Sequence, residues 1–153
     1  MSDFAVTGVG ETSVQRDVDI DLTPVDETLL AEAGTIMVAI PAFNEGAMIA
    51  DVVASAATHA DTVLVVDDGS SDDTGKIASE AGADVVRHPK NRGYGGALKT
   101  IFREAARRDP AHLVVIDADG QHDPDDIASL VAARLETQAD LVIGSRYANV
   151  ESS

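Results

Sequence analysis

From Thr35 onward the chain alternates short apolar runs with stretches in which apolar residues recur every three or four positions. The runs suit buried strands and the recurring positions suit amphipathic helices. Ile36-Met37-Val38-Ala39-Ile40 reads as a buried strand stopped by Pro41. Asn44 then reads as the cap of a helix that carries Met48, Ile49, Val52, Val53 and Ala56 on one face. Thr62 to Val66 predicts a second strand, ended by Asp67-Asp68-Gly69-Ser70, followed by a short helix over Thr74 to Ala81 and a third short strand over Asp84 to Arg87. Pro89 to Gly96 is expected to be a loop, leading to a helix whose packed face is Ala97, Leu98, Ile101, Phe102, Ala105 and Ala106. Leu113 to Ile116 predicts the fourth strand, and Asp125 begins a helix with Ile127, Leu130, Val131 and Leu135 inward. Leu141-Val142-Ile143 predicts a fifth strand, ending at Gly144-Ser145-Arg146.

Strands alternating with helices imply right-handed βαβ units. The expected fold class is α/β, a Rossmann-like and mainly parallel sheet with helices on both faces. Each polar segment falls just after a strand, so Pro41 to Glu45, Asp67 to Ser70, Asp117 to Gln121 and Ser145-Arg146 are expected to converge on the carboxyl edge of one sheet. Residues 1–34 differ, with many acids, no clear helical period and few large apolar groups. Val18-Asp19-Ile20-Asp21-Leu22 alternates as a short edge strand would, but the composition favours a flexible or loosely docked acidic arm. Pro24, Asp26 and Glu27 lead into a short helical turn through Leu29 and Leu30. The division is thus an acidic arm over 1–34 and one domain over 35–153.

A chain of 153 residues that is 44% hydrophobic can bury a sizeable core. It has no cysteine, which excludes disulfides, thiolate metal sites and a cysteine nucleophile. No apolar run approaches the roughly 20 residues that span a bilayer, and Met1 to Gly10 lacks the pattern of a signal peptide. A soluble, cytoplasmic chain is expected, peripheral at most to the inner face of a membrane. The net charge of -16 argues against nucleic acid as a partner, because no basic field is present to displace its counterions. Acid carried mostly by Asp, base mostly by Arg, and abundant Ala resemble the proteins of salt-loving archaea, whose acidic surfaces keep them soluble when salt screens charge. On that reading most of the negative charge reflects habitat.

Asp117-Ala118-Asp119-Gly120-Gln121 stands out because it delivers two carboxylates and an amide to a strand's exit. Hard oxygen ligands of this kind select Mg²⁺ or Mn²⁺ and leave coordination positions for water and a diphosphate. The spacing alone does not separate such a site from a solvated acidic loop or helix cap. Asp123, Pro124 and Asp125 fit the start of the next helix. Asp68, at the end of the second strand, is placed to accept hydrogen bonds from a base or a ribose, whereas Asp72, Asp73 and Thr74 fit a turn and helix cap. Asn91-Arg92-Gly93-Tyr94-Gly95-Gly96 is glycine-rich and opens a helix, but it lacks the Gly-Lys-Ser/Thr of a P-loop and follows the wrong strand for the dinucleotide fingerprint. Lys99, Arg103 and Arg107 read as a solvated helix face. His59, His88, His112 and His122 share no metal-ligand spacing, and only His122 has a suggestive position, as a loop residue near the carboxylates.

Five segments in this order and spacing resemble glycosyltransferase family 2, and within it the polyprenyl-phosphate (dolichol-phosphate) mannose or glucose synthases. They are Val38 to Glu45, Val65 to Thr74, Asn91 to Ala97, Asp117 to His122 and Gly144 to Tyr147. The resemblance implies the nucleotide-sugar-binding half of a GT-A fold and an inverting, metal-dependent hexosyltransferase. The donor would be a UDP- or GDP-linked sugar and the acceptor a polyprenyl (dolichyl) phosphate at a membrane surface. It places Pro41, Phe43 and Glu45 in the nucleoside pocket, Val66 and Asp68 at base and ribose, and Asp117, Ala118 and Asp119 at ribose and diphosphate. The metal would fall to Asp119 and Gln121 with Asp117 beside them, and Arg146 would lie at the phosphates. Asp117 and Asp119 would serve catalysis through the metal. No base is identified, since a lipid phosphate is already anionic at neutral pH. Ile101 stands where related sequences usually carry Gly, and the chain ends soon after Tyr147, so the acceptor-binding portion is expected to be missing. Two other readings remain: a truncated module that binds a nucleotide-sugar without turnover, and a sugar-nucleotidyltransferase.

Overall fold

The uninterrupted Val, Ile and Leu runs in the middle of the chain form strands buried on both faces, as parallel sheets require. The computed structural model describes residues 3–7, 15–17, 27–121, 123–138 and 141–145. In chain order the elements are β1 (Asp3–Thr7), β2 (Gln15–Asp17), α1 (Glu27–Ala31), β3 (Ile36–Ala42), α2 (Ile49–Ala57), β4 (Thr62–Asp67), α3 (Thr74–Glu80), β5 (Asp84–Arg87), α4 (Gly93–Arg108), β6 (His112–Val115), α5 (Pro124–Thr137) and β7 (Leu141–Ser145). They divide between two compact units, Gly34–Pro124 on one hand and Met1–Ala33 with Asp125–Ser153 on the other.

The first of these units is a four-stranded parallel sheet in the order β5-β4-β3-β6. Side chains alternate across a strand, so each face takes every second residue. Met37 and Ala39 of β3 cluster with Leu64 and Val66 of β4 and with Ala97 and Ile101 of α4, which therefore covers that face. The intervening Val38, Ile40, Val63 and Val65 are just as buried on the other face. There α2 supplies Ile49, Val52, Val53 and Ala56, and α3 supplies Ala78. The chain steps outward from β3 to β5 with α2 and α3 on one side, then returns to β6 through α4 on the other. Right-handed crossovers demand this arrangement. It is the Rossmann-like α/β architecture expected from the sequence.

Four local readings are corrected. Pro41 does not stop the first strand: β3 runs on through Ala42, with Pro41 opposite Val66 of β4. Odd-numbered residues of β3 direct their backbone groups towards β6, as the bond from Ile116 N–H to the Ala39 carbonyl shows. The ladder with β6 has ended by Pro41, so its missing N–H breaks no bond. Met48, expected on the packed face of α2, is exposed at the cap position. The helix α4 begins at Gly93 rather than after Gly96, so Gly95 and Gly96 are helical. Phe102, placed inward by its spacing, is 57% exposed, while Thr100 and Glu104 are buried in its stead.

In the other unit β7 pairs antiparallel with β1, from Asp3↔Ser145 to Thr7↔Leu141, and β1 pairs with β2. The predicted fifth strand therefore belongs to a separate three-stranded sheet, order β2-β1-β7. The parallel sheet has four strands, and β7 finds its backbone partner in β1 of the N-terminal segment. That segment carries β1 and β2, whereas its composition favours no regular structure. Val18 to Leu22 lie outside the described residues. Pro124 opens α5, where its fixed φ and missing N–H suit the first helical turn. Among the described residues no helix is long and apolar enough to cross a membrane.

Candidate functional site

The carboxyl ends of β3, β4, β5 and β6 each release a polar loop, and hydrogen bonds tie the loops after β3, β4 and β5 to one another. Asn44 leaves β3 with a left-handed φ of 54° and does not cap α2, contrary to the sequence reading. Its N–H donates to Ser70 Oγ at 2.9 Å, while Ser71 N–H and hydroxyl donate to Asn44 Oδ1 at 2.8 and 3.1 Å. Glu45 N–H donates to Thr74 Oγ1 (3.0 Å) and Gly46 N–H to Asp72 Oδ2 (3.1 Å). The Asp72 Oδ1 accepts from both the N–H and the hydroxyl of Thr74. The turn-forming role expected of Asp72 and Thr74 is real, and it also anchors the loop after β3. These bonds, led by the Thr74 side chain and only partly opposed by desolvation, hold the Asp72 carboxyl below its ordinary value.

Asp67 is fully buried at the end of β4, where its Oδ1 accepts from Ser70 N–H at 2.9 Å and closes the turn. Its Oδ2 has no hydrogen-bond partner among the described residues and lies 3.7 Å from Arg87 Nη1. The same guanidinium donates to the Ser70 carbonyl at 2.9 Å. Gly69 has φ +75°, and a Cβ there would fall 2.5 Å from the Lys90 carbonyl carbon and 2.6 Å from Asn91 N. Only glycine lets this turn lie directly on the loop after β5.

Asp68 is buried beside it. Its Oδ1 faces His88 Nδ1 at 2.6 Å and accepts from Arg92 N–H at 2.9 Å. Burial pushes the carboxyl up, but the bonds from His88 and from the Arg92 and Gly93 N–H groups outweigh it, and the pKa falls below the ordinary value. An ionised carboxylate can only accept, so His88 Nδ1 carries the proton. His88 Nε2 in turn faces Thr100 Oγ1 of α4 at 2.7 Å. Neither His88 nor Thr100 was singled out from the sequence. The available signal was His88 at the first position beyond β5, the position that Asp68 holds beyond β4.

At the exit of β6, Asp117 is half-buried, Ala118 buried, and Asp119 and Gln121 exposed. Asp119 Oδ1 accepts from Gln121 N–H at 3.0 Å, which bends the loop back and fixes one carboxylate oxygen. Burial, and then the charge of Asp117, raise the Tyr94 phenol above its usual value, which puts the start of α4 within electrostatic reach of this loop. On the other side Met48 Cε packs over Gly120, where an added Cβ would come within 2.5 Å of it. All four strand exits are thus linked. Phe43 and Tyr94 stand at this edge largely exposed, at 46% and 60%. Pro41 is half-buried and Val66 buried in the strands themselves, with Glu45 half-buried at the turn into α2.

Arg146 and His122 lie outside the described residues. The edge therefore assembles from three of the four expected polar segments, joined by the loop after β5. Two carboxylates and an amide, all hard oxygen donors in a chain without cysteine, fit a divalent cation such as Mg²⁺ or Mn²⁺. No cluster of three His, Cys, Asp or Glu side chains occurs among the described residues, so a cation here would complete its shell from the Gln121 amide, water or ligand oxygens.

Comparison with known proteins accounts for this layout. Residues 37–153 match the model of glycosyl transferase family 2. The UDP-N-acetylglucosamine–dolichyl-phosphate N-acetylglucosaminyltransferase of Methanococcus voltae is 36% identical over 132 residues, covering 74% of this chain and 53% of the relative. The polyprenol monophosphomannose synthase of Mycolicibacterium smegmatis is 40% identical over 122 residues, 72% of this chain and 44% of the relative. Among solved structures, glucosyl-3-phosphoglycerate synthase from Mycobacterium tuberculosis in complex with Mn²⁺, UDP-glucose and phosphoglyceric acid aligns with a TM-score of 0.58 and 34% identity, over 71% of this chain and 41% of the other. The chain spans about half the length of the curated relatives it matches. A Rossmann-like parallel sheet of the GT-A type and a family match over most of its length show that this chain belongs to glycosyltransferase family 2.

Proposed function

We propose that this chain is the donor-binding part of an inverting, metal-dependent hexosyltransferase that takes a UDP- or GDP-linked sugar and delivers the hexose to a polyprenyl phosphate at a membrane surface. The observation that carries the reading is the linked set of loops at the sheet edge, with Asp117 and Asp119 on one of them. It is supported by relatives named for dolichyl-phosphate and polyprenol acceptors and by a neighbour crystallised with Mn²⁺ and UDP-glucose.

In this reading Phe43 offers its exposed ring to the base, with Pro41, Glu45, Val66 and Asp68 completing the nucleoside side. Asp117 and Ala118 lie along the ribose. Asp119 and Gln121, with Asp117 beside them in the loop, would hold Mg²⁺ or Mn²⁺, which when bound would neutralise charge on the departing nucleoside diphosphate. Arg146 adds a positive charge at the phosphates. The acceptor phosphate is ionised at neutral pH, so the protein needs to align it with the anomeric carbon rather than deprotonate it. A single in-line displacement then inverts that centre.

Titration calorimetry in high salt, with UDP-glucose, GDP-mannose and UDP-N-acetylglucosamine each in the presence of Mn²⁺, tests this. One donor is expected to bind, and Asp119→Ala to weaken it at least tenfold. Binding that ignores both Mn²⁺ and the substitution would overturn the proposal.

A further inference from the structure

Behind the loops at the edge, a chain of buried polar side chains runs inward from Asp68, and the proposed chemistry uses only its outer end. It runs from Asp68 through His88 to Thr100, with contacts of 2.6 and 2.7 Å. All three residues are at least 95% buried. The groups come from three elements: the end of β4, the residue after β5, and the second turn of α4. Buried polar groups are expensive unless each is satisfied, and here each satisfies the next. The adjoining Ala97 and Ile101 pack α4 on the sheet through apolar contacts of their own. The polar chain ends on the carboxylate that the proposed function assigns to base and ribose.

We propose that His88, itself held by Thr100, is a positioning residue for donor binding: it fixes the orientation of the Asp68 carboxylate so that the nucleoside meets it already ordered. The inference rests on the reading of Asp68 as a nucleoside-binding residue. Its physical basis is the geometry at Oδ1. Two donors, His88 Nδ1 and Arg92 N–H, fix that oxygen and with it the plane of the carboxylate. The torsional freedom of Asp68 is then lost on folding and need not be lost again when the nucleotide arrives. Thr100 acts one step further out, because occupying Nε2 stops the ring from turning away and keeps Nδ1 aimed at Asp68.

Different substitutions separate this role from simple packing. An asparagine at 88 places an amide nitrogen close to where Nδ1 stood and keeps the bond to Asp68; a glutamine reaches towards Thr100 and loses it. Affinity for UDP and for GDP, each with Mn²⁺, is measured by calorimetry on the whole chain, with thermal unfolding recorded for every variant. His88→Gln is expected to weaken the nucleotide that binds by about tenfold, and the isosteric Thr100→Val by a few-fold. His88→Asn is expected to stay within about threefold of the parent, however much its melting temperature falls. In an Asp68→Asn background His88→Gln should add nothing further, because it acts through Asp68.

Full affinity in His88→Gln, or an equal loss in both backgrounds, would overturn the positioning role. So would a ranking of affinities that merely follows the melting temperatures. If Asp68→Asn alone binds as tightly as the parent, the assignment of Asp68 fails, and this inference fails with it. A loss in Asp68→Asn with none in His88→Gln removes the inference and leaves the assignment standing.

Discussion

Gly69 and Asp68 are neighbours held by different physics. At Gly69 the constraint is steric, since both its positive φ and the Lys90–Asn91 backbone exclude a side chain. Gly69→Ala is therefore expected to cost roughly 1–3 kcal/mol from backbone strain alone, more once the clash is added, as read by urea unfolding. At Asp68 the constraint is electrostatic. A carboxyl whose folded pKa lies below its unfolded value, about 3.9 for Asp, contributes stability that is complete above the unfolded value. That contribution is lost as the pH falls through the lower folded value. Melting temperatures followed from pH 6 down to pH 2.5 should therefore fall less steeply for Asp68→Asn than for the parent, and parallel curves would refute the assignment of direction. Asp68 itself was legible in the sequence, because a carboxylate at a strand exit is a recognisable signal. Its partner His88 was not, because 20 residues separate them and only folding shows which strand end adjoins which.

At the scale of elements, apolar runs placed β3 and β4 to within a residue or two, since a strand buried on both faces needs no register to be recognised. Helix faces were harder. Spacing put both Ile101 and Phe102 inward on α4, and the structure keeps only Ile101, fully buried among Met37, Ala39, Leu64, Val66 and Ala97. Ile101→Ala should cost about 2–5 kcal/mol and Phe102→Ala less than about 0.5 kcal/mol in denaturant unfolding. Equal costs would mean that the face has been misassigned. The three glycines before Ala97 concealed the start of α4, because their helix-breaking tendency is overridden once Ala97 and Ile101 dock on the sheet. The polar part of the site was legible as far as the residues that follow strands. The lacing between them, Asn44 to Ser70 and Ser71 or Glu45 to Thr74, joins positions 26 to 29 apart and has no sequence signature.

For the molecule as a whole, charge governs how stability responds to the solvent. A net charge of -16 on 153 residues repels itself across any separation that salt does not screen. The screening length is about 10 Å at 0.1 M salt and about 3 Å at 1 M. The melting temperature should rise steadily as KCl is raised over that range, and a flat response would show that the acids are locally compensated. The loops at the sheet edge add a consequence of another kind. The N–H groups of Asn44, Glu45, Gly46, Ser71 and Arg92 all lie outside helices and strands, yet each donates to a side chain anchored on another segment. In deuterated solvent such amides open only when two segments part together. They should exchange at the slow pace of strand amides, leaving a band of protection across loops that secondary structure alone would mark as fast.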